Sequence, residues 1–263
     1  MLFTEKLKVL PGILELRRYR YERSFANDQV ANYFRGVYET FNQASENAPK
    51  SKPIGYNNKA SAGMYKERTK QVYSTDYPVL YWMMRLQDKF SSVFDFGGHI
   101  GIHFYSYAKY LDFSRITEWL VCDVKSVIEE ARSFKLFEPR SSLSFSNDFF
   151  DIEGADLFLA NGSLQYLEWE LHEKLEQITN KPKFLILNML PLHSTHKTIT
   201  LQSIGTSFCP YYVRLRKEFV EGLNGIGYKL LDEWDNEQKA CKIAFEPERS
   251  LNKYKGMIFE LKK

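Results

Sequence analysis

The residues best suited to ligand chemistry lie in a short stretch that joins two apolar segments. Residues 93–96 are mostly apolar and few enough for a buried strand, and an aromatic run of helical character, 102–111, follows them. A second strand candidate, 119–122, ends on an acid. The small and polar residues at the ends of these segments are Asp95, Gly97, Gly98, His99, Gly101 and Asp123. A strand, a glycine turn, a helix and a strand that ends on an acid are typical of a nucleotide-binding βαβ unit.

The physical properties of this unit predict a nucleoside-like ligand. Glycines let the backbone turn sharply and let a ligand approach without a clash against a Cβ atom. The helix after the turn directs free N–H groups and the positive end of its dipole at the ligand. An acid at the tip of the second strand, here Asp123, can accept hydrogen bonds from two ribose hydroxyls.

The spacing of the glycines favours S-adenosylmethionine over a dinucleotide. The dinucleotide pattern is G-x-G-x-x-G, and Phe96 occupies its first glycine position, two residues before Gly98. The match is instead to D-x-G-x-x-x-G, which begins at Asp95. A carboxylate there would repel a pyrophosphate but attract the sulfonium and ammonium groups of S-adenosylmethionine. NAD is the second candidate ligand, and a glycine turn without a ligand is the third.

Length and composition indicate a soluble α/β protein. The 263 residues fit one α/β domain with an added segment, and 44% of them are apolar and 26% charged. The net charge of +3 is too small to indicate nucleic-acid binding. Because Cys122, Cys209 and Cys241 lack the spacing of a metal site, we expect reduced thiols, a cytoplasmic location and a reaction without a metal. We also expect neither a signal peptide nor a membrane span.

The first 90 residues are predicted to form a helical extension that acts as a lid on a domain spanning 91–263. Pro11-Gly12 interrupts the basic and apolar segment 1–25, so any helix there should be short or broken. We favour packing of this segment on the domain or on a partner subunit, and peripheral contact with an anionic membrane is the alternative. Helices are predicted within 26–50, over 61–72 and over 77–89. A structural role is favoured for each polar residue of the lid taken alone. The lid residues that could face the substrate are Tyr56, Asn57, Tyr65, Tyr73 and Asp76.

Polar residues also follow the later predicted strands. A third strand, over 143–145, ends on Asn147 and Asp148, and a fourth, over 156–160, runs into Asn161. Ligands of a doubly wound sheet bind outside the carboxyl ends of its strands, so these side chains are candidate cofactor contacts. A simple turn is the alternative for the pair at 147 and 148.

The remaining segments complete a predicted sheet. A fifth strand, 184–190, precedes a long polar loop, 192–209, and long ordered loops at a sheet edge are usually functional. Helices are predicted over 124–134, 168–179 and 213–224, and terminal strands over 228–234, 240–245 and 256–261. This order predicts an α/β fold with a Rossmann-like, doubly wound, mostly parallel seven-stranded sheet and an antiparallel terminal strand.

With these residues in place, the chain resembles the class I S-adenosylmethionine-dependent methyltransferases, and more narrowly those encoded with bacterial cell-surface polysaccharide genes. The motifs that carry the resemblance are Phe94-Asp95-Phe96-Gly97-Gly98-x-x-Gly101, Trp119-x-Val121-x-Asp123, the run from Asp156 to Tyr166, Leu201-Gln202, Pro210-Tyr211 and Gly227-Tyr228 with Trp234. Taken together, their order and spacing are fairly specific. The resemblance implies methyl transfer from S-adenosylmethionine to a small polar or sugar acceptor.

The resemblance also implies roles for the site residues. Asp95 helps to hold the amino group of the cofactor, directly or through water, and the three glycines shape the floor of the site. Asp123 takes the ribose hydroxyls, Asn147 or Asp148 reaches the adenine, and Asn161 lies near the methionine end.

His99 departs from the family pattern, which usually has a glycine at this position. Its side chain would crowd the methionine part of the cofactor or point toward the acceptor. An oxygen acceptor needs a base to remove its proton. The candidate bases are His193, His196, His99 and His103, and the first two are preferred because they follow the fifth strand.

Two other functions stay open. An NAD-dependent oxidoreductase or epimerase would usually carry a Tyr-x-x-x-Lys pair after the fourth strand, but residues 166–170 read Tyr-Leu-Glu-Trp-Glu. A degenerate methyltransferase fold could serve as a binding or scaffold subunit, and a cofactor pocket blocked by His99 would indicate it. The sequence leaves the oligomeric state open.

Overall fold

The structure, a computed structural model, describes residues 11–27, 31–133 and 142–262. The strands in these residues are β1 (Ala31–Tyr38), β2 (Ser92–Phe96), β3 (Glu118–Cys122), β4 (Leu143–Ser146), β5 (Leu157–Asn161), β6 (Phe184–Leu190), β7 (Leu192–His193), β8 (Thr198–Ile204), β9 (Phe208–Leu215), β10 (Tyr228–Asn236) and β11 (Tyr254–Leu261). The α-helices are α1 (Pro11–Asn27), α2 (Phe41–Glu46), α3 (Lys59–Ala62), α4 (Tyr77–Leu86), α5 (Ile102–Tyr107), α6 (Lys125–Ser133), α7 (Leu171–Glu176) and α8 (Arg216–Gly225).

The central sheet has seven strands in the order β4-β3-β2-β5-β6-β11-β10. Parallel pairing joins β4, β3, β2, β5 and β6, and β11 runs antiparallel to both β6 and β10. The predicted doubly wound sheet with an antiparallel terminal strand is therefore confirmed. The sheet brings the carboxyl ends of β2, β3, β4 and β5 to one edge. These are the strand ends at which the sequence has the candidate polar residues.

The central strands are apolar on both sides because helices cover both faces of the sheet. Phe94 and Phe158 are buried in a cluster on one face, and Val93 and Leu157 are buried in a second cluster on the other. Packing on both faces restricts the movement of the strand backbone. The turns at its carboxyl end are consequently held in fixed positions.

A second sheet of four strands, in the order β1-β8-β9-β7, corrects two expectations from the sequence. Residues 31–38, predicted within a helix, form strand β1, which pairs antiparallel with β8. The predicted loop 192–209 contains β7, β8 and the start of β9. The polar residues of β8 are buried within the sheet, and the hydroxyl of Thr200, for example, donates to the carbonyl of Arg35 at 3.1 Å. Thr195, between β7 and β8, is exposed.

The helix at the N-terminal end of the described residues also differs from the prediction. Helix α1 runs unbroken for 17 residues, because Pro11 is its first residue and a proline in the first turn removes no helical hydrogen bond. Its last turns pack on the second sheet, where Phe25 stacks on Phe208 with 5.1 Å between ring centroids. Residues 1–10 of the predicted basic segment lie outside the described residues. None of the helices in the described ranges is long and apolar enough to span a bilayer.

Several element boundaries shift without changing the topology. The predicted helix over 61–72 is α3 followed by a 3₁₀ turn, Lys66–Lys70, and the helix predicted over 213–224 begins only at Arg216 because β9 continues to Leu215. Residues 240–245 form isolated bridges rather than a strand. The helix predicted over 168–179 shortens to α7. Phe134, the predicted end of α6, is outside the described residues.

Candidate active site

The glycine turn after β2 is packed too tightly for any other side chain. Gly97 has a φ of +73°, and a Cβ atom on it would lie 2.3 Å from the Cβ of Ser163. A Cβ atom on Gly98 would lie 2.4 Å from a carboxylate oxygen of Asp95. Gly101, at a φ of +88°, ends the turn and starts α5. The glycines therefore let the turn lie directly on the ends of β2 and β5, and Gly97 itself lines the cavity described below.

Asp123 lies at the tip of β3, as predicted, and is fixed by two backbone donors. One carboxylate oxygen accepts the N–H of His99 at 2.9 Å, and the other accepts the N–H of Val124 at 2.7 Å. Burial raises the pKa of Asp123 to about 6, against the two N–H donors, which lower it. At neutral pH the site thus presents an ionised acceptor whose position is tied to the glycine turn.

His99 adopts a backbone conformation that suits glycine, with a φ of +56°, and its side chain is only 5% exposed. Its Nε2 donates to the carbonyl of Ser61 at 3.4 Å, and its ring packs edge-on against Tyr65 with 5.4 Å between centroids. Nδ1 is buried and has no hydrogen-bond partner among the described residues. Burial lowers the pKa of His99 to about 4, so the ring is neutral. The side chain joins the glycine turn to the segment around α3.

Asp95 is completely buried and does not reach the ligand cavity. Its carboxylate accepts the Nδ1–H of His103 at 2.9 Å and the indole N–H of Trp119 at 3.2 Å. His103, on the first turn of α5, lies between this carboxylate and the cavity, which it lines. The predicted contact between Asp95 and a cofactor amino group would therefore have to pass through His103.

A polar chain continues from His103 across the carboxyl edge of the sheet. The side-chain amide of Asn161 donates to Nε2 of His103 at 3.2 Å and to the carboxylate of Asp76 at 2.9 Å. Its oxygen accepts from Asn188 at 3.1 Å. Burial alone would lower the pKa of His103, but the Asp95 carboxylate outweighs it and raises that pKa above its usual value. The result is a basic imidazole, held in one tautomer, at the wall of the cavity.

The cavity, about 660 Å³, lies between the carboxyl edge of the central sheet, the second sheet and the segment from Gly55 to Asp76. At one end it is lined by Asn147 and by the aromatic rings of Phe96, Phe149 and Trp169, which pack within 5.2–6.1 Å of one another. Asp148 does not line the cavity, because its carboxylate turns back to accept the N–H of Phe150 at 2.9 Å.

The other end of the cavity was not anticipated in full. Of the lid residues that were candidates to face the substrate, four line the cavity, Tyr56, Tyr65, Tyr73 and Asp76, whereas Asn57 accepts the N–H of Ser126. The second sheet adds Gln202, which accepts from the hydroxyl of Tyr166 at 2.9 Å. Two cations, Arg68 and Lys239, also line this end. Their types gave no signal in the sequence, because isolated basic residues are usually solvent-exposed.

His193 and His196 lie outside the cavity. His193 is in β7, which pairs with β9 of the second sheet and so carries the chain away from the carboxyl edge. Its Nδ1 accepts the backbone N–H groups of Thr195 and His196, at 3.0 and 2.9 Å. The structure therefore brings together Asp123, His99, His103, Asn147 and Asn161, but not these two histidines. The expectation that they follow the fifth strand into the active-site cleft is corrected.

Comparison with known proteins identifies the fold. No family model matches the chain, and no curated protein is significantly similar to it. A protein from Listeria monocytogenes, provisionally assigned as an S-adenosylmethionine-dependent methyltransferase, is 14% identical with a TM-score of 0.51, over 72% of this chain and 99% of that one. This likeness, together with the strand order, shows that the chain has the class I methyltransferase fold.

Two further solved structures are similar at lower scores. The 1,6-didemethyltoxoflavin-N1-methyltransferase of Burkholderia thailandensis, solved with 1,6-didemethyltoxoflavin and S-adenosylhomocysteine, is 12% identical over 72% of this chain and 79% of that one, with a TM-score of 0.47. An S-adenosylmethionine-dependent methyltransferase from Mesorhizobium loti is 12% identical over 71% and 98%, with a TM-score of 0.46.

Proposed function

We propose that the protein is an S-adenosylmethionine-dependent methyltransferase that methylates an oxygen atom of a small polar or sugar acceptor. The observation that carries the proposal is Asp123, an ionised acceptor at the tip of β3 that the glycine turn holds at the wall of a large cavity. The sequence resemblance supports a finer assignment, namely a cytoplasmic role in cell-surface polysaccharide synthesis with the first 90 residues as a lid. The described part of the chain contains no cluster of three metal-ligating side chains.

The residues of the cavity fit this cofactor. Asp123 would hold the ribose hydroxyls, and Asn147 would face the adenine beside the ring of Phe149. Gly97 lines the cavity and presents only backbone atoms to a ligand. The unpartnered Nδ1 of His99 is a buried acceptor, and such an atom suits a ligand that brings N–H donors. Asn161 and Asp76 would lie near the amino-acid end.

The chain's own contribution to the reaction is to position the acceptor and take its proton. S-adenosylmethionine, when bound, supplies a methyl group that its sulfonium has already activated. His103 can receive the acceptor proton at Nε2, since Nδ1 already donates to Asp95 and the carboxylate stabilises the imidazolium that forms. Before this transfer, the hydrogen bond from the side-chain amide of Asn161 to Nε2 must be replaced by one from the acceptor hydroxyl.

The scaffold alternative receives less support. It requires a blocked cofactor pocket, but His99 turns toward Ser61 and a cavity of about 660 Å³ stays open beside it. An oxidoreductase would need a pyrophosphate in contact with the turn. Asp95, buried directly beneath Gly98, disfavours a second anion there.

Isothermal titration with S-adenosylhomocysteine tests the proposal. We expect micromolar binding, loss of binding in Asp123→Ala, and no heat with NAD. Glu129→Ala, which changes an exposed acid on α6, is the matched control and should bind as the unmodified protein does. If the folded, unmodified protein fails to bind S-adenosylhomocysteine, the methyltransferase proposal is wrong.

A further inference from the structure

Lys239 lines the cavity close to Arg68, and none of the ion pairs among the described residues includes it. It follows β10 in a turn closed by its own N–H, which donates to the carbonyl of Asn236 at 3.2 Å. The preceding residue, Gln238, accepts from the hydroxyl of Ser74 at 2.8 Å and so ties this turn to the segment before α4. The ammonium group is thus on a fixed turn and is half-buried.

The acids closest in sequence to Lys239 are already paired elsewhere. Asp235 binds Lys253 and Lys255 at 2.5 and 2.7 Å, and Glu237 binds Lys253 at 3.4 Å. Because these two acids are paired with other lysines, they do not neutralise Lys239, which faces the cavity. The two carboxylates of the cavity wall are also occupied by neutral donors: Asp76 binds Asn161 and the backbone N–H of Tyr73, and Asp123 binds two N–H groups.

A second cation adds to the positive potential. The guanidinium of Arg68 packs over the rings of Tyr65 and Tyr73, at 5.3 and 4.8 Å from their centroids, rather than against a carboxylate. Burial lowers the pKa of Lys239, and the charge of Arg68 lowers it further, so the two groups lie close enough to repel each other. Neither cation is ion-paired with these carboxylates, and an anion that binds between or beside the two like charges relieves their mutual repulsion.

The cofactor can satisfy only one of these cations, because S-adenosylmethionine carries a single carboxylate. We therefore infer that the methyl acceptor is itself an anion, with a carboxylate or phosphate group that binds Lys239. This inference rests on the proposed function and specifies its substrate class. Aromatic walls with hydroxyl and amide groups, such as Tyr166 and Gln202, complete a site for a polar molecule that bears one charged group.

Three sugars that differ in one substituent test the inference: glucose, glucuronate and glucose 6-phosphate. Each is titrated by NMR into protein saturated with S-adenosylhomocysteine, at constant ionic strength. We expect glucuronate or glucose 6-phosphate to bind at least tenfold more tightly than glucose, with amide shifts around Lys239. Tighter binding of glucuronate would indicate a carboxylate acceptor, and tighter binding of glucose 6-phosphate would indicate a phosphate. If neither anion binds better than glucose, the inference is overturned.

Substitutions locate the charge that matters. Lys239→Gln should weaken the anionic sugar at least tenfold and Lys239→Arg should restore it, whereas Lys229→Gln, on the exposed side of β10, should have no effect. Equal anion affinity in Lys239→Gln would also overturn the inference. S-adenosylhomocysteine binding is measured on every variant. If the unmodified protein did not bind S-adenosylhomocysteine, the proposed function would be refuted instead. Titration of the three sugars without cofactor would still show whether Lys239 binds an anion.

Discussion

Nδ1 of His103 lies 2.9 Å from the carboxylate of Asp95, which has no exposed surface at all. His103 lines the cavity and Asp95 lies behind it, so this carboxylate can act on a ligand only through the imidazole. The acid that begins the glycine motif is therefore a positioning residue for a histidine eight residues later.

The first prediction concerns this pair. Asp95→Asn should lower the pKa of His103, because it removes the anion that raises it above its usual value. The proton on His103 also stabilises the fold: that stability is present below the unfolded-state pKa of about 6.5 and is lost as pH rises through the higher folded-state pKa. NMR titration of the His103 ring measures the first effect, and urea unfolding at several pH values measures the second. If the NMR titration of His103 had the same midpoint pH in Asp95→Asn as in the unmodified protein, the pairing of His103 with Asp95 would be contradicted.

The second prediction is a pH dependence of cofactor binding. Burial raises the pKa of Asp123 to about 6, and the ribose hydroxyls are expected to bind its ionised form. Affinity for S-adenosylhomocysteine should consequently fall about tenfold per pH unit below pH 6 and level off above it. Asp123→Asn should bind about 10- to 100-fold more weakly at pH 8 and lose this dependence. Asp148→Asn, outside the cavity, should keep the unmodified profile in the same calorimetric titrations.

The third prediction separates steric conflict from backbone strain in the glycine turn. Gly97→Ala combines a positive φ with a Cβ atom 2.3 Å from Ser163, so we expect a loss of about 3 kcal/mol in the free energy of unfolding. Gly154 has a φ of +80° but open space around a Cβ position. Gly154→Ala should therefore cost only the strain, about 1 kcal/mol. Urea unfolding of both variants compares them, and equal losses would show that the turn has room to relax.

The fourth prediction concerns His99 and acid. Its pKa is lowered to about 4 in the folded protein, so the stability due to the neutral ring is present above pH 6.5 and is lost as pH falls toward 4. His99→Asn is a suitable test, because asparagine tolerates a positive φ. Between pH 7.5 and pH 5 the unmodified protein should lose about 2 kcal/mol more than this variant. Parallel loss in both proteins would mean that the pKa of His99 is not lowered in the folded protein.

The sequence was sufficient for β2, β3, β5 and β6 of the central sheet because these strands are mostly apolar along their own length. Phe184–Leu190 was predicted residue for residue, since a strand covered on both faces needs no information from elsewhere in the chain. Strand β8 is different: its polar residues are buried only because β1 and β9 supply their partners. No local pattern shows such partners, and the segment was interpreted as a loop.

The same limit applied to the candidate site. Asp123 was located correctly because its place follows from the end of β3. The preference for His193 assumed that the chain enters the cleft after β6, but β7 pairs with β9 and places this histidine outside the cavity. His103 was one candidate among four until the buried carboxylate beside it set it apart.

The part of the cavity that the second sheet lines is formed by residues from both halves of the chain. The side-chain amide of Gln202 in β8 donates to Asn32 in β1, 170 residues earlier, and the same glutamine lines the cavity. Closing so long a loop has a large entropic cost, and little is recovered until the central sheet holds the two halves together. We therefore expect the part of the cavity around the glycine turn to form first, from contiguous chain, and the part that Gln202 lines to form only after β1 and β8 have paired.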